Sequence, residues 1–373
     1  MKCIECGVDN TLKDRTSNQG HCKSCGHRFA FEPTTMRPPL KFTDGFFAKM
    51  IDDLSFGGTL FFTRQQLYNL FVRRLERKAN SGQGVLQGCG CFLLIIGTPG
   101  LFAGFGFVAV PVGALLLALS WWLKRRQRQQ QPKTFNLSQA KFDQFFQSWQ
   151  RANGVPEKLL PPVSTTASAA PAAISPDISE YSFDRVVVCE HDRIAQLLIA
   201  NNLHFEHSCA VVSLRGYPAD IFDTVMEMLR RNPDLSVYTL HDASAAGVRM
   251  TETLRLDRWF PNPEVAIYDL GLLPQQVLAM QNPFVKRSET YAQQAQRLPD
   301  LVQQHLSPEE LEWLRQGNYL PLEMFGPQKL LQVISQGINR SRLQAEGIDS
   351  EMASSWNSDG TDSTMIFLAG GFG

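Results

Sequence analysis

The sequence predicts a multidomain α/β protein, in which a parallel sheet with flanking helices follows a cysteine-bearing N-terminus and a long uncharged run. Three observations carry that expectation. Short β-branched runs alternate with amphipathic stretches of helical length between Arg185 and Met250. Two Cys-x-x-Cys pairs stand at the N-terminus, far from those runs. Val85 to Leu123 contains no Asp, Glu, Lys or Arg over 39 positions. At 373 residues and 43% hydrophobic, the chain has the length of two or three domains. Its formal net charge of zero gives no global case for nucleic-acid binding, so any basic face must be local.

Residues 1–32 read as a zinc ribbon. Cys3-x-x-Cys6 and Cys22-x-x-Cys25 are separated by 15 residues, a spacing suited to a four-thiolate zinc site. Gly7 and Gly26 follow the pairs and let the backbone turn its amides toward sulfur. Four thiolates complete a tetrahedron, so the zinc is expected to be structural, with His21 and His27 left out of it. The alternative is a disulfide framework. No signal peptide precedes these cysteines, which favours a reducing, cytoplasmic setting. Cys189 and Cys209, in predicted strands, read as reduced core residues.

After the proline-rich stretch Pro33 to Pro39, residues 40–80 have helical periodicity. Phe46, Phe47, Met50, Ile51 and Leu54 share one face. A break at Gly57-Gly58 leads to Thr63, an N-cap for a second helix that carries Leu67, Leu70, Phe71 and Leu75. The basic end of that helix, Arg73, Arg74, Arg77 and Lys78, makes a winged-helix-like DNA-binding segment one reading and a plain helical pair the other. Residues 85–123 are too long for one membrane span and about right for a hairpin of two short ones. Arginine and lysine on both flanks place both ends in the cytoplasm, with Trp121 and Trp122 at the interface. That makes the protein integral to a bacterial inner membrane or its equivalent, with its soluble domains cytoplasmic. A buried helical pair is the alternative. Cys89 and Cys91 are acylation candidates or small packing residues. Residues 133–155 form a helix whose Phe142, Phe145, Phe146 and Trp149 need a partner, the helical segment before the hairpin being the nearest. Residues 156–180, rich in Ala, Ser, Thr and Pro, are a flexible tether.

The predicted sheet follows. Arg185 to Cys189 is a strand ending in Glu190, and Ser236 to Leu240 is a strand ending in His241 and Asp242. Between them lie a helix over Arg193 to Asn201, a strand over Cys209 to Leu214 and a helix over Ala219 to Arg231. Val265 to Asp269 adds one more strand. In parallel sheets functional groups gather at the carboxyl ends of strands, where Glu190 and Asp242 both sit. Two carboxylates brought together repel unless a cation lies between them, and Mg²⁺ is the natural occupant. The alternative is that acids end strands because they favour turns.

The segment from Arg185 to Met250 resembles the Toprim domain of the topoisomerase VI A subunit and the related meiotic double-strand-break proteins. The resemblance rests on Glu190, on Gly216-Tyr217-Pro218 with Asp220 behind it, and on Val237-Tyr238-Thr239-Leu240-His241-Asp242-Ala243-Ser244-Ala245-Ala246-Gly247. It implies a Mg²⁺ site of Glu190, Asp242 and Asp220. The second aspartate of the family's Asp-x-Asp pair is Ser244 here, and a neutral hydroxyl is a poor Mg²⁺ ligand. Ahead of the family's Toprim domain lies a winged helix whose Thr-x-Arg-Asp-hydrophobic-aromatic-Tyr motif supplies the nucleophile. Thr63-Arg64-Gln65-Gln66-Leu67-Tyr68-Asn69 is similar to it. In one register Asn69 takes the nucleophile position, in the other Tyr68 does, and otherwise Tyr68 is a core aromatic. Residues 271–346 are expected to be helices, with Ser307-Pro308-Glu309-Glu310 a clear helix start, and 347–373 a disordered tail.

Three functions remain open on these residues. The first is a membrane-tethered protein that interacts with DNA through a Toprim-like core that has lost its catalytic residues. The second is an active Mg²⁺-dependent nuclease using Glu190, Asp242 and Asp220 with water. The third is a membrane-anchored scaffold whose zinc ribbon and sheet bind protein partners or a second copy of the chain.

Overall fold

The structure, a computed structural model, describes residues 1–37, 40–80, 137–163, 184–232, 235–256, 259, 265–280 and 283–345. The hairpin expected at 85–123, most of the tether and the tail at 347–373 lie outside the described residues. Among the described residues no helix is long and apolar enough to cross a membrane. The chain divides into two compact units. One comprises Met1–Ile51 and the described part of Tyr68–Pro156, the other Asp52–Leu67 and the described part of Glu157–Gly373.

The first unit begins with two knuckles built alike. Gly7 N–H donates to Cys3 O and Cys3 N–H to Val8 O, while Gly26 N–H donates to Cys22 O and Cys22 N–H to His27 O. Gly7 and Gly26 sit at φ 72° and 71°, left-handed values that close each turn and that glycine adopts without a Cβ penalty. Between the knuckles runs α1 (Leu12–Ser17), started by a reciprocal Thr11–Asp14 capping box. Buried Arg15 donates through Nε and Nη2 to both carboxylate oxygens of Glu32, at 2.8 and 3.0 Å. The paired geometry orients Arg15 and holds the Glu32 carboxyl down at about 2. Most of helices α2 (Asp44–Ser55) and α3 (Arg64–Asn80) and all of α4 (Gln139–Asn153) follow, the end of α2 and the start of α3 falling in the second unit. Asp44 accepts from the amides of Ala30 and Phe31, which fixes the ribbon's last residues to the start of α2. Aromatic rings then fill the unit. Phe47 lies 5.0 Å from Trp149, Phe71 5.6 Å from Phe142 and Phe42 5.1 Å from Phe145, so the aromatic stripe of α4 finds its partner in α2 and α3. Residues 40–80 form the two helices with a glycine turn at Gly57-Gly58. No β-wing follows them among the described residues.

The second unit holds a four-stranded parallel sheet with flanking helices. Its elements run β1 (Arg185–Cys189), α5 (Asp192–Ala200), α6 (Leu203–Glu206), β2 (Cys209–Ser213), α7 (Phe222–Arg231), β3 (Ser236–Leu240), α8 (Ala245–Val248), α9 (Met250–Leu256) and β4 (Ala266–Asp269). The order across the sheet is β2-β1-β3-β4. Period-two alternation sends Val187, Cys189, Val211, Tyr238 and Leu240 to a face covered by Ile194, Leu197 and Leu198 of α5. Val186, Val188, Val212 and Val237 point to the other, where Val225, Met226 and Leu229 of α7 and Met250 and Leu254 of α9 pack. The layering follows from chain direction. From β1 the chain moves one way to β2, then back past β1 to β3 and on to β4. Right-handed crossovers therefore put α5 on one face and α7 and α9 on the other.

The rest of the unit closes over the α5 face. It comprises α10 (Pro274–Ala279), β5 (Lys286–Arg287), α11 (Glu289–Gln296), α12 (Asp300–Gln304), α13 (Pro308–Arg315), β6 (Asn318–Tyr319), a 3₁₀ turn (Leu322–Met324) and α14 (Pro327–Ala345). The capping box of Ser307 and Glu310 starts α13. Leu330, Ile334 and Ile338 of α14 join the core under the sheet, and the Tyr238 hydroxyl meets Ser341 Oγ at 2.6 Å. Cys189 and Cys209 are buried thiols at opposite ends of neighbouring strands, since Cys209 is level with Arg185 and Cys189 with Ser213.

Candidate metal centres

The reversal of winding makes a crevice at the carboxyl ends of β1 and β3, the place where ligands bind in open α/β sheets. Glu190 leaves the end of β1 and Asp242 lies two residues past the end of β3, so the register that pairs Cys189 with Leu240 brings them together. Glu190 Oε2 accepts from the Asp242 amide at 2.9 Å, and Asp242 Oδ1 accepts from the Leu322 amide at 2.8 Å. Each carboxylate is thus held by one oxygen and presents the other. His191, the N-cap of α5, makes no capping hydrogen bond with its side chain. Its Nε2 instead lies 3.1 Å from Asp242 Oδ2 and 3.9 Å from Glu190 Oε1. Glu190, His191 and Asp242 therefore present one donor atom each within 4.8 Å of one another.

The surroundings are strongly polarised. Burial and the neighbouring Asp242 charge push the Glu190 carboxyl up, against the pull of His191, the Asp242 amide and His241. Burial alone would lower His191, but its hydrogen bond to Asp242 and the charges of Asp242 and Glu190 outweigh it and raise the imidazole. Behind the pair, fully buried His241 has Nδ1 2.8 Å from the Asp242 carbonyl and Nε2 3.0 Å from Asp269 Oδ1. A carbonyl and a carboxylate both accept, so both ring nitrogens carry protons and His241 is an imidazolium. Burial opposes that charge, yet Asp269, the Asp242 carbonyl and Glu190 lift its pKa to about 9. Gly247 and Gly271 flank this ring so closely that a Cβ at either would overlap it, and one at Gly247 would also strike the Asp242 carbonyl.

The C-terminal segment completes the crevice. Leu320 pairs with Ala243 through two backbone hydrogen bonds, and Glu323 is held by the Thr63 hydroxyl at 2.8 Å and by Arg193 at 3.2 Å. Burial lowers Lys286, opposed by the charges of Glu323 and Asp242. Burial and the charges of Glu190 and Asp242 push Tyr291, its ring tilted against that of Tyr319 at 4.7 Å, up to about 12. The crevice thus faces two neutral tyrosines and a desolvated lysine.

Of the residues singled out in the sequence, Glu190 and Asp242 meet, and Asp220 lies exposed in the turn before α7, outside the cluster. His191 takes the third place instead. Ser244 Oγ accepts from Gly247 N at 3.0 Å as the N-cap of α8, which commits the hydroxyl to the backbone. Tyr68 donates its hydroxyl to the Leu137 carbonyl at 2.7 Å and packs edge-on against Phe142, and burial raises its pKa. Asn69 is 1% exposed. Both residues are built into the helical core of the first unit. Arg73 and Arg74 are half-buried, burial lowers Arg73, and Lys78 donates to the Lys41 carbonyl at 2.8 Å, leaving Arg77 and Lys78 as the exposed cations of that set. Sequence reasoning missed His191, the His241–Asp269 pair, Glu323, Lys286 and the two tyrosines. Only His191 and His241 were signalled, each by standing next to an acid at a strand end.

The second centre is in the N-terminal knuckles. Cys3, Cys6, Cys22 and Cys25 place four sulfurs within 4.8 Å of one another, with Cys3 Sγ 3.7 Å from Cys25 Sγ and Cys6 Sγ 3.6 Å from Cys22 Sγ. These separations are far longer than the ~2.05 Å of a disulfide and suit four thiolates around one zinc. The amides of Cys25 and Ser24, with Asn10 Nδ2, hold the Cys22 thiol down at about 6. The Asn10 carboxamide oxygen accepts from Lys23 N–H, which aims its NH₂ at the sulfur.

Compared with known proteins, the chain matches no family model and no curated protein.

Proposed function

We propose that this chain is a membrane-tethered, DNA-interacting protein whose Toprim-like core, similar to that of the topoisomerase VI A subunit, engages a phosphodiester through a divalent ion without tyrosine-mediated strand cleavage. The observation that carries this reading is the convergence of Glu190 and Asp242 at the β1/β3 reversal, each with one oxygen fixed by an amide and one presented. A bound ion there would neutralise phosphate charge. Glu190, His191 and Asp242 are the residues to hold it, while Arg193 and Lys286 supply positive charge around it. The donor set fits a divalent cation, since two anionic oxygens and one imidazole nitrogen meet in a space that repulsion between the carboxylates would otherwise open. Tyr68, spent on Leu137, and buried Asn69 support the exclusion of a tyrosine nucleophile. The uncharged run at 85–123, flanked by cations, supports the tether, and the cysteine centre supports a zinc-stabilised module in the same chain.

A second reading, metal-dependent hydrolysis of DNA by activated water, is favoured by the intact Glu190/Asp242 pair with His191 beside it. One experiment separates the two. Supercoiled plasmid is incubated with the purified chain in detergent and Mg²⁺ or Mn²⁺, beside a Glu190→Ala/Asp242→Ala control. The expected result is salt-sensitive retention of plasmid without nicking. Metal-dependent nicking lost in the control replaces the first reading with the nuclease. Neither nicking nor retention removes both and leaves a scaffold for protein partners.

A further inference from the structure

We infer that the acid centre is built for a single first-row transition ion of the Mn²⁺ class in preference to Mg²⁺, because its third donor is the imidazole nitrogen of His191. The inference rests on the metal-binding reading above and names the ion that site takes.

The argument starts from which atoms are left to bind. Glu190 Oε2 and Asp242 Oδ1 are occupied by backbone amides, so each carboxylate is fixed in orientation with a single oxygen left, that of Asp242 sharing a proton with His191 Nε2 whose place an ion would take. Glu190 is 9% exposed, yet its Oε1 accepts no hydrogen bond from the described residues. His191 stands at a helix N-cap without capping, its ring turned into the crevice, with Nε2 3.1 Å and 3.9 Å from the two carboxylates. Two donors held ~2.1 Å from one ion lie ~3.0 Å apart at a right angle and ~3.4 Å apart at the tetrahedral angle. The 3.1 Å separation falls inside that range and the 3.9 Å one lies about half an ångström above it, so one ion draws the three atoms together by moving the Glu190 carboxylate and the His191 ring toward each other.

The count of one follows from the neighbours. A second ion needs donors of its own. Among the described residues no further Asp, Glu, His or Cys joins the group, Ser244 is committed to Gly247, and the two oxygens of Glu323 are engaged by Thr63 and Arg193. The choice of ion follows from the nitrogen. Mg²⁺ prefers an octahedron of oxygens and gives up its water reluctantly, whereas imidazole is a good ligand for first-row transition ions. A carboxylate pair alone would not discriminate; His191 does.

The test is an electron paramagnetic resonance titration of the purified full-length chain, in detergent and with zinc in its cysteine centre, using Mn²⁺ as the probe and the loss of the free-ion signal as the readout. The expected result is one Mn²⁺ bound per chain, not displaced by an equal concentration of Mg²⁺. His191→Ala is expected to weaken Mn²⁺ about tenfold or more, while Mg²⁺ affinity, read by competition, changes little. His191→Gln keeps a polar group opposite Asp242 should the alanine variant misfold, and it is expected to lose Mn²⁺ preference in the same way. Mn²⁺ binding unchanged in both variants, Mg²⁺ competing equally in the parent, or no Mn²⁺ binding at all each overturns the inference. Plasmid retention is read separately. Mn²⁺ bound without retention keeps this inference and removes the DNA reading, and retention without Mn²⁺ removes this inference alone.

Discussion

The two candidate metal centres gather their ligands in opposite ways. The cysteine centre takes four identical donors from two adjacent knuckles that repeat the same pair of backbone hydrogen bonds, Gly7 to Cys3 and Cys3 to Val8 in one, Gly26 to Cys22 and Cys22 to His27 in the other. The acid centre takes unlike donors from the ends of two strands and is braced by an amide from Leu322 in a third part of the chain. The first is saturated by its own ligands, so an ion there can only hold structure together. The second offers three donors and leaves coordination positions open, which is what an ion needs to meet a substrate. A closed centre can be encoded locally because nothing else has to reach it. An open one is placed where the fold leaves a crevice.

The largest effect that sharpens this contrast is expected from Cys22→Ser. Structural zinc sites contribute on the order of 10 kcal/mol to the folding of the segment around them, so the variant should lose its bound zinc and its ribbon should become protease-sensitive. Metal analysis of the purified chain and limited proteolysis read this directly. The Mn²⁺ titration of the acid centre should be unchanged. Loss of both ions in this variant would show the centres to be one cooperative system and end the contrast.

Next in size is Gly247→Ala or Gly271→Ala. Neither glycine needs a left-handed backbone; both are glycine because His241 fills the space a Cβ would take. Overlap with a buried ring, and at Gly247 with the Asp242 carbonyl, should cost roughly 4 kcal/mol in denaturant unfolding and displace Asp242. In the cysteine centre, Gly7 and Gly26 have open space where a Cβ would go, so Gly7→Ala should cost only the roughly 1 kcal/mol of a strained left-handed backbone.

A third effect belongs to the acid centre alone. His241 has a folded pKa of about 9, raised from an ordinary value of 6.5. The protonated ring is therefore favoured in the folded state. Its contribution is complete below pH ~6.5, declines as pH rises and is gone above pH ~9, a swing of about 3 kcal/mol for a fully buried group. Asp269→Asn should remove that slope between pH 6.5 and 9 and cost about the same amount at pH 6.5, read from urea midpoints across the range. A slope that persists in Asp269→Asn would mean that another group titrates in this window.

How much of this was legible follows from the same contrast. The cysteine spacing specified the four-thiol cluster, and β-branched runs specified the strands within a residue or so, because parallel strands buried on both faces must be continuously apolar. Glu190 and Asp242 could be placed at strand ends from those runs alone. The strand order β2-β1-β3-β4 could not, since nothing in β1 or β3 states that they are neighbours, and that adjacency is what makes two strand-end acids a site. Asp220 illustrates the gap. A turn that follows β2 at the sheet edge stays outside a cluster formed between β1 and β3, whatever its residue type. Glu323, Lys286 and Tyr291 were hidden more deeply, because the segments that carry them read only as generic helices and loops in a chain order that says nothing of their return to the crevice.

The smallest expected effect tests whether Ser244 has a part in the acid centre at all. Its hydroxyl accepts from Gly247 N at 3.0 Å and caps α8, a helix of four residues, and its side chain is fully buried. Removing an N-cap hydroxyl typically costs about 1 kcal/mol. Ser244→Ala should therefore shift the urea midpoint by that modest amount and leave Mn²⁺ affinity unchanged, because the hydroxyl faces the helix it starts. A tenfold fall in Mn²⁺ affinity would make Ser244 a ligand and give the centre a fourth donor. The argument that His191 supplies the decisive third donor would then fail, and the acid centre would move toward the saturated character of the cysteine one. Unchanged affinity leaves three donors, with the remaining positions open to water or a phosphate oxygen.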